Sequence, residues 1–295
     1  SKSIDLINYF IKKKGIENIY FIVGSDILLE LHKWKNWKKL VSILDEDRIV
    51  EAESSIKSML SCENLKDKSF IDIGSGSGLF SLVAARLGAK VNSFDYDINS
   101  VECTAYLKNK YNFNDDIWKV EQGDVLDKEY LSKYDKHNIV YSWGVLHHTG
   151  EMWDAIENAS DLVKEDGLLF IAIYNDQGWK STVWTWIKRT YNFLPWPLNS
   201  VFSLLLFITV FTIGFLKYLI LLKPMTYIRP YFNYKKKRGM NPFIDWTDWV
   251  GGYPFEVATP DEIIEFLGKR KFSLIKSVTI SSLGCNEFVF NKNKS

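Results

Sequence analysis

The run Phe70-Ile-Asp-Ile-Gly-Ser-Gly-Ser-Gly78 constrains the fold of this chain more than any other stretch. Phe70, Ile71 and Ile73, with Asp72 among them, read as a short buried strand, and Gly74, Gly76 and Gly78 follow at intervals of two. Glycine at such points lets the backbone turn sharply and approach a ligand where a Cβ would clash. From Leu79 to Gly88 the apolar residues fall at helical spacing, so the glycine loop sits at a helix N-terminus. A dinucleotide fingerprint, G-x-G-x-x-G, would need glycine at position 79 to hold a pyrophosphate against that terminus. This chain has Leu79 there.

Downstream, strand and helix alternate. Residues 89–94 read as a second strand ending in Asp95, seventeen residues past Gly78. An acid at the tip of a second strand can accept hydrogen bonds from both hydroxyls of a ribose. Residues 117–122 form a third strand leading to Gly123 and Asp124, and 137–143 a fourth, which opens into Gly144-Val-Leu-His-His-Thr149. Residues 167–174 are a fifth, after an Asp166-Gly167 turn; helical patterns over 78–87, 98–109 and 152–164 separate these strands. The alternation implies parallel βαβ units that bind ligands at the carboxyl ends of their strands. Near the end, Thr259-Pro-Asp-Glu262 starts a helix with proline in its first turn, and strands follow over 271–280 and 285–290.

The glycine loop and the strand-tip acids resemble the class I S-adenosylmethionine (SAM) methyltransferases, over about 70–290 with one long interruption. The resemblance implies an α/β fold with a seven-stranded, mostly parallel, Rossmann-like sheet, whose last strand inserts antiparallel. A helical N-terminal region or lid would occupy 1–66, the SAM-binding core 67–174, a helical insertion after strand five 175–258, and the completion of the core 259–295. It implies SAM as cofactor, held at the loop by Asp72, Gly74, Ser75, Gly76 and Gly78. Asp95 would serve the ribose and Asp124 the adenine, with Tyr96, Val125 and Trp143 also among the cofactor-binding residues. Val140-Tyr-Ser-Trp-Gly-Val-Leu-His-His-Thr-Gly150, with Met152 and Trp153, is similar to the branch near the ubiquinone-pathway O-methyltransferases. Those enzymes typically have Glu where this chain has His147.

In such a reaction the cofactor carries the activated methyl group, so the protein must orient the acceptor and remove its proton. Histidine is the side chain best suited to that task near neutral pH. His148 is the expected base and His147 the second candidate; alternatively, both orient the loop by hydrogen bonding. Adjacent histidines rarely chelate one ion and no third ligand has suggestive spacing, so no metal is expected. Tyr174, Asn175 and Gln177 leave strand five beside the methyl site, and Trp249, Tyr253 and Glu256 return toward it. Aromatics that stack and polar groups that read hydroxyls or a cation make these six an expected acceptor wall. The alternative for the returning segment is a loop packed on the sheet edge.

Residues 198–216 contain no charge, long enough for a membrane span, with aromatic residues before them and cations after. One crossing would put the last helix and strands on the wrong side of a bilayer from the first five strands, and no second apolar span exists to return them. What remains is a helix touching one leaflet through 198–222, a peripheral membrane contact, or a hairpin buried on the domain or in a homodimer. Formal charge is +1, from 37 basic and 36 acidic residues, so no overall field argues for nucleic acid. Cys62, Cys103 and Cys285 lie far apart, which fits reduced thiols and a cytoplasmic setting, and the N-terminus has no signal-peptide pattern. In the N-terminal region, 47–60 has helical spacing with Asp45 or Asp47 as cap, and Trp34 and Trp37 would share a helix face. The expected function is SAM-dependent methyl transfer to an oxygen of a hydrophobic or membrane-associated small molecule. The rivals are transfer to a soluble small molecule, with the insertion used for dimerisation, and a non-catalytic SAM-binding scaffold.

Overall fold

The computed structural model describes residues 46–232 and 242–294. Helix α1 (Glu46–Leu60) buries Ile49, Ala52, Ile56, Met59 and Leu60 on one face, the three-to-four spacing read from the sequence. Asp45, the Asp47 side chain, Trp34 and Trp37 lie outside the described residues, so the capping and shared-face expectations fall there too.

The elements then alternate: β1 (Ser69–Ile73), α2 (Leu79–Arg86), β2 (Lys90–Asp95), α3 (Ile98–Lys110), β3 (Trp118–Gln122), α4 (Lys128–Ser132), β4 (His137–Trp143), α5 (Met152–Asp161) and β5 (Val163–Tyr174). After four helices, α6 (Trp179–Phe193), α7 (Leu198–Ile220), α8 (Pro224–Phe232) and α9 (Pro242–Gly251), come α10 (Pro260–Lys269), β6 (Phe272–Val278) and β7 (Cys285–Lys292). The strands form one sheet in the order β3-β2-β1-β4-β5-β7-β6. β1 to β5 are parallel, and β7 runs antiparallel between β5 and β6. This is the seven-stranded arrangement the resemblance implied. On one side of the sheet Ile71, Ile73, Val140, Leu169, Ile171 and Phe288 pack with Ala155, Ile156 and Ala159 of α5 and Ile263 and Leu267 of α10.

Local chemistry sets the boundaries. Asp97 caps α3 by accepting the Asn99 N–H, and Thr259 with Glu262 forms a reciprocal capping box at α10. Arg270 at the end of α10 donates to Glu157 and Asp161 of α5, tying those helices together. β5 begins earlier than the expected 167: Val163 already pairs with His137, and the chain bulges, with Asp166 at φ 58°, before Leu168 pairs with Ile139. The polar Lys164-Glu165-Asp166 run hid that start. α4, five residues long, is too short to show a period.

Under α2, a buried polar chain crosses the sheet. The Trp118 indole donates to Ser93 Oγ at 2.7 Å, Ser93 Oγ and Ser81 Oγ are 2.7 Å apart, and Ser81 Oγ donates to Asp72 Oδ2 at 2.5 Å. Burial pushes the Asp72 carboxyl from its usual 3.8 up to about 7, opposed by the Ser81 bond and reinforced by the charge of Asp95. A carboxyl raised in the folded state favours folding below its unfolded pKa, and that contribution is lost as pH rises through the folded value. Asp72→Asn should therefore gain stability relative to wild type between pH 4 and 8, by at most about 4 kcal/mol. Denaturant midpoints across that range check this; parallel curves would contradict it.

By contact density the described residues fall into two compact units, one with the sheet and one running from Trp186 to Tyr253. In the second, the aromatic side of α7 packs inward: Phe207 meets Trp246, Phe211 meets Tyr227 and Tyr231, and Tyr218 stacks on Tyr227. Lys188 and Asn192, one turn apart on α6, donate to the Trp249 and Gly251 carbonyls at the end of α9. A helix C-terminus leaves such carbonyls without intrahelical donors and favours a cation there.

Candidate active site

The carboxyl ends of β1 to β4 surround a cavity of about 470 Å³, lined by Gly74, Asp95, Tyr96, Asp97, Asp124, Val125, Val145, His148, Thr149 and Pro254, with Ile73, Phe94, Gly123 and Leu126 completing it. Gly74 has φ +75°, and a Cβ there would lie 2.5 Å from both terminal methyls of Val145. Only glycine lets the loop pass so close.

The glycine loop also orients an acid. Gly76 N–H donates to Asp95 Oδ2 at 2.8 Å and Asp97 N–H to Oδ1 at 3.0 Å, so two backbone donors fix the buried Asp95 carboxylate. A carboxylate has about four acceptor sites, so this posture is compatible with ribose hydroxyls as further donors. Asp124 Oδ1 accepts the Leu126 N–H at 2.8 Å, and Gln122 donates to the Tyr96 carbonyl at 3.0 Å, placing the exposed Tyr96 ring at the rim.

Beyond β4, Leu146–His148 forms a single 3₁₀ turn. His148 Nδ1 lies 2.6 Å from the Pro254 carbonyl oxygen. A carbonyl only accepts, so Nδ1 carries a proton, and in the neutral ring that puts the lone pair on Nε2, the form a base needs. His147, fully buried, is not among the cavity residues; its ring centroid is 4.0 Å from that of Tyr174, which also packs against Phe255.

Several expected site residues do other work. Asp72 is held beneath α2 by Ser81, and Ser75 Oγ bonds Thr104 Oγ1 at 3.0 Å, fastening the loop to α3. Gly78, at φ +78°, would put a Cβ 2.9 Å from Thr104 Cα, so it too serves the packing on α3. The Trp143 indole donates to Glu287 at 2.8 Å, above Ala172 of β5, which pairs with both residues. None of these four lines the cavity. On the expected acceptor wall, Asn175 donates to the Ile280 carbonyl and accepts from Asn286, while Gln177 donates to the Ser281 carbonyl. Their amides thus hold the loop before β7. The Glu256 carboxylate accepts the Met152 N–H at the start of α5. Trp249 belongs to the second unit, with Lys188 Nζ 3.9 Å from its ring centroid, and Tyr253 is exposed in that unit.

The sequence reading did not name Asp97, and it did not single out Val145, Thr149 or Pro254 within the loops it placed at the site. Asp97 was detectable from the Asp-x-Asn pattern of a helix cap. Pro254, 106 residues from His148, had no local signal. Among the described residues no cluster of three His, Cys, Asp or Glu forms a metal site.

Comparisons place this architecture. A probable nicotinate-nucleotide adenylyltransferase of Pelagibacter ubique (strain HTCC1062) is 45% identical over 62 residues, 20% of this chain and 34% of that protein. A ubiquinone biosynthesis O-methyltransferase of Glaesserella parasuis serovar 5 (strain SH0165) is 30% identical over 108 residues, 37% of this chain and 46% of that one. The chain thus spans less than half the length of these curated relatives. The crystal structure of magnesium protoporphyrin IX methyltransferase from Synechocystis PCC 6803 with bound SAH shares the fold, with a TM-score of 0.52 at 13% identity over 99% of this chain and 100% of that one. A family model described as a methyltransferase domain matches residues 44–214, more than half of the chain and every cavity residue except Pro254. This chain therefore belongs to the methyltransferase domain family.

Proposed function

We propose that the chain transfers the methyl group of SAM to an oxygen of a hydrophobic or membrane-associated small molecule, with His148 taking the acceptor's proton. The carrying observation is that His148, its Nδ1 proton fixed on the Pro254 carbonyl, lines the same cavity as Asp95 and Asp124. The residues present fit SAM: the Gly74 backbone itself lines the cavity, and acids stand at the tips of β2 and β3. Asp95 would take the ribose hydroxyls and Asp124 the adenine amino group. When bound, SAM supplies a methyl group activated by its sulfonium. What the chain adds is orientation, exclusion of water and a base within reach of an acceptor hydroxyl.

Two features support a hydrophobic acceptor. The relatives include proteins named for O-methylation in ubiquinone biosynthesis. In addition, α7 turns its aromatic side inward and leaves an aliphatic stripe outward, with Val201, Leu205, Ile208, Ile213, Leu216 and Ile220 all exposed. It is long and apolar enough to cross a membrane by length and composition. Yet β5 before the insertion and β7 after it are hydrogen-bonded neighbours, so both ends of the insertion lie on one side of any bilayer. A peripheral helix on the cytoplasmic face satisfies both facts. From 177 to 244 the chain has no acid, whereas Lys180, Lys188, Arg189, Lys217, Lys223, Arg229, Lys235, Lys236, Lys237 and Arg238 are basic. Such a charge bias suits an anionic lipid surface.

The test is to incubate the purified chain with methyl-labelled SAM and fractionated cell extract, and follow label into organic and aqueous phases. Label in the organic phase is expected. Label confined to the aqueous phase would contradict the hydrophobic acceptor and favour the stripe as a contact between two copies.

A further inference from the structure

The segment that returns to the sheet at Pro254 is fastened to both strand ends flanking the site. Pro254 gives its carbonyl to His148 Nδ1, Glu256 N–H donates to the His147 carbonyl at 3.0 Å, and Ala258 N–H donates to the Tyr174 carbonyl at 3.0 Å. Those anchors use main-chain groups of the returning segment. Between Pro254 and Ala258 the sole polar side chain is Glu256. Its carboxylate lies 3.1 and 3.2 Å from the Met152 nitrogen, and the nearby Gly150 N–H also favours its charged form. A Cβ on Gly150 (φ +84°) would reach only ordinary contact distance, 3.5 Å, from the Pro254 ring, so the histidine loop runs beside the returning segment there.

We infer that Glu256 is a positioning residue for His148, clamping the histidine turn so that the Pro254 carbonyl meets Nδ1 and Nε2 keeps its lone pair. The inference rests on the reading of His148 as base and adds what holds that base in one tautomer. Half-buried, Glu256 has its carboxyl pushed up by desolvation and pulled back by the Met152 and Gly150 donors. A mere helix cap would need the Met152 bond alone. The clamp also needs the Glu256 main-chain bond to His147, which makes the carboxylate and the histidine turn one unit.

The experiment compares the full chain with Glu256→Ala, Glu256→Gln and Glu256→Asp, using ¹⁵N-histidine labelling and single-turnover transfer. The chain has four histidines, and His148→Gln assigns the relevant ring. In Glu256→Ala the His148 ring nitrogens should move from the single Nδ1–H form toward a tautomer mixture. Turnover should fall roughly 10- to 100-fold with SAM affinity within about twofold, the size of loss expected from misplacing a catalytic group by about an ångström. Glu256→Gln keeps an acceptor oxygen and should restore most of both signals. Glu256→Asp, one methylene short, should lie between and keeps the test open if the alanine variant does not fold. An unchanged His148 tautomer with only a lowered Tm would overturn the inference and leave Glu256 as a helix cap. A tautomer shift in Glu256→Ala alongside full turnover in His148→Gln would uphold the positioning while removing the base role.

Discussion

Replacing His148 by alanine should lower methyl transfer by roughly 100- to 10,000-fold, the range associated with losing a positioned general base. SAM affinity should stay within about twofold. The cofactor contacts assigned to Gly74, Asp95 and Asp124 come from other elements, and the imidazole is fixed from behind by Pro254. A base removed without disturbing the cofactor separates the chemical step from binding, so the loss should appear in single-turnover rate rather than in saturation. Turnover retained at both neutral and high pH would leave His148 with a structural role only.

Asp95→Ala should weaken SAM binding by at least about 1.5 kcal/mol, more than tenfold, as expected for losing charge-assisted hydrogen bonds. The effect has two parts. The carboxylate is the proposed acceptor for the ribose, and it also holds the Gly76 and Asp97 N–H groups, so truncation loosens the glycine loop. Asp95→Asn keeps an acceptor oxygen but loses the charge, and should fall between the alanine variant and wild type. Equilibrium dialysis with labelled SAM on folded variants measures both. Unchanged affinity in Asp95→Ala would refute the ribose assignment.

How much of this was legible in the sequence depends on distance along the chain. Gly74, Gly76 and Asp95 could be read because a strand, a glycine loop and a strand-tip acid are local patterns with one economical fold. The five parallel strands were legible for the same reason, and the antiparallel finish followed from the resemblance. The roles of Asn175, Gln177, Glu256 and Trp143 were not legible. Each looks like a site residue by its type and place, yet each is engaged by a partner more than a hundred residues away in sequence. For Asp72 the motif placed the residue, while the buried bond from Ser81, nine residues on, had no signal in the glycine pattern. The bond from Pro254 to His148 had no signal because it is made by a backbone carbonyl, a group every residue has.

The most direct measurement is a calorimetric titration of the purified full chain with SAM. One saturable site with micromolar affinity, weakened at least tenfold in Asp95→Ala and unchanged in His148→Ala, is the predicted result. The absence of any saturable binding up to millimolar SAM in the folded wild type would contradict the account at its centre.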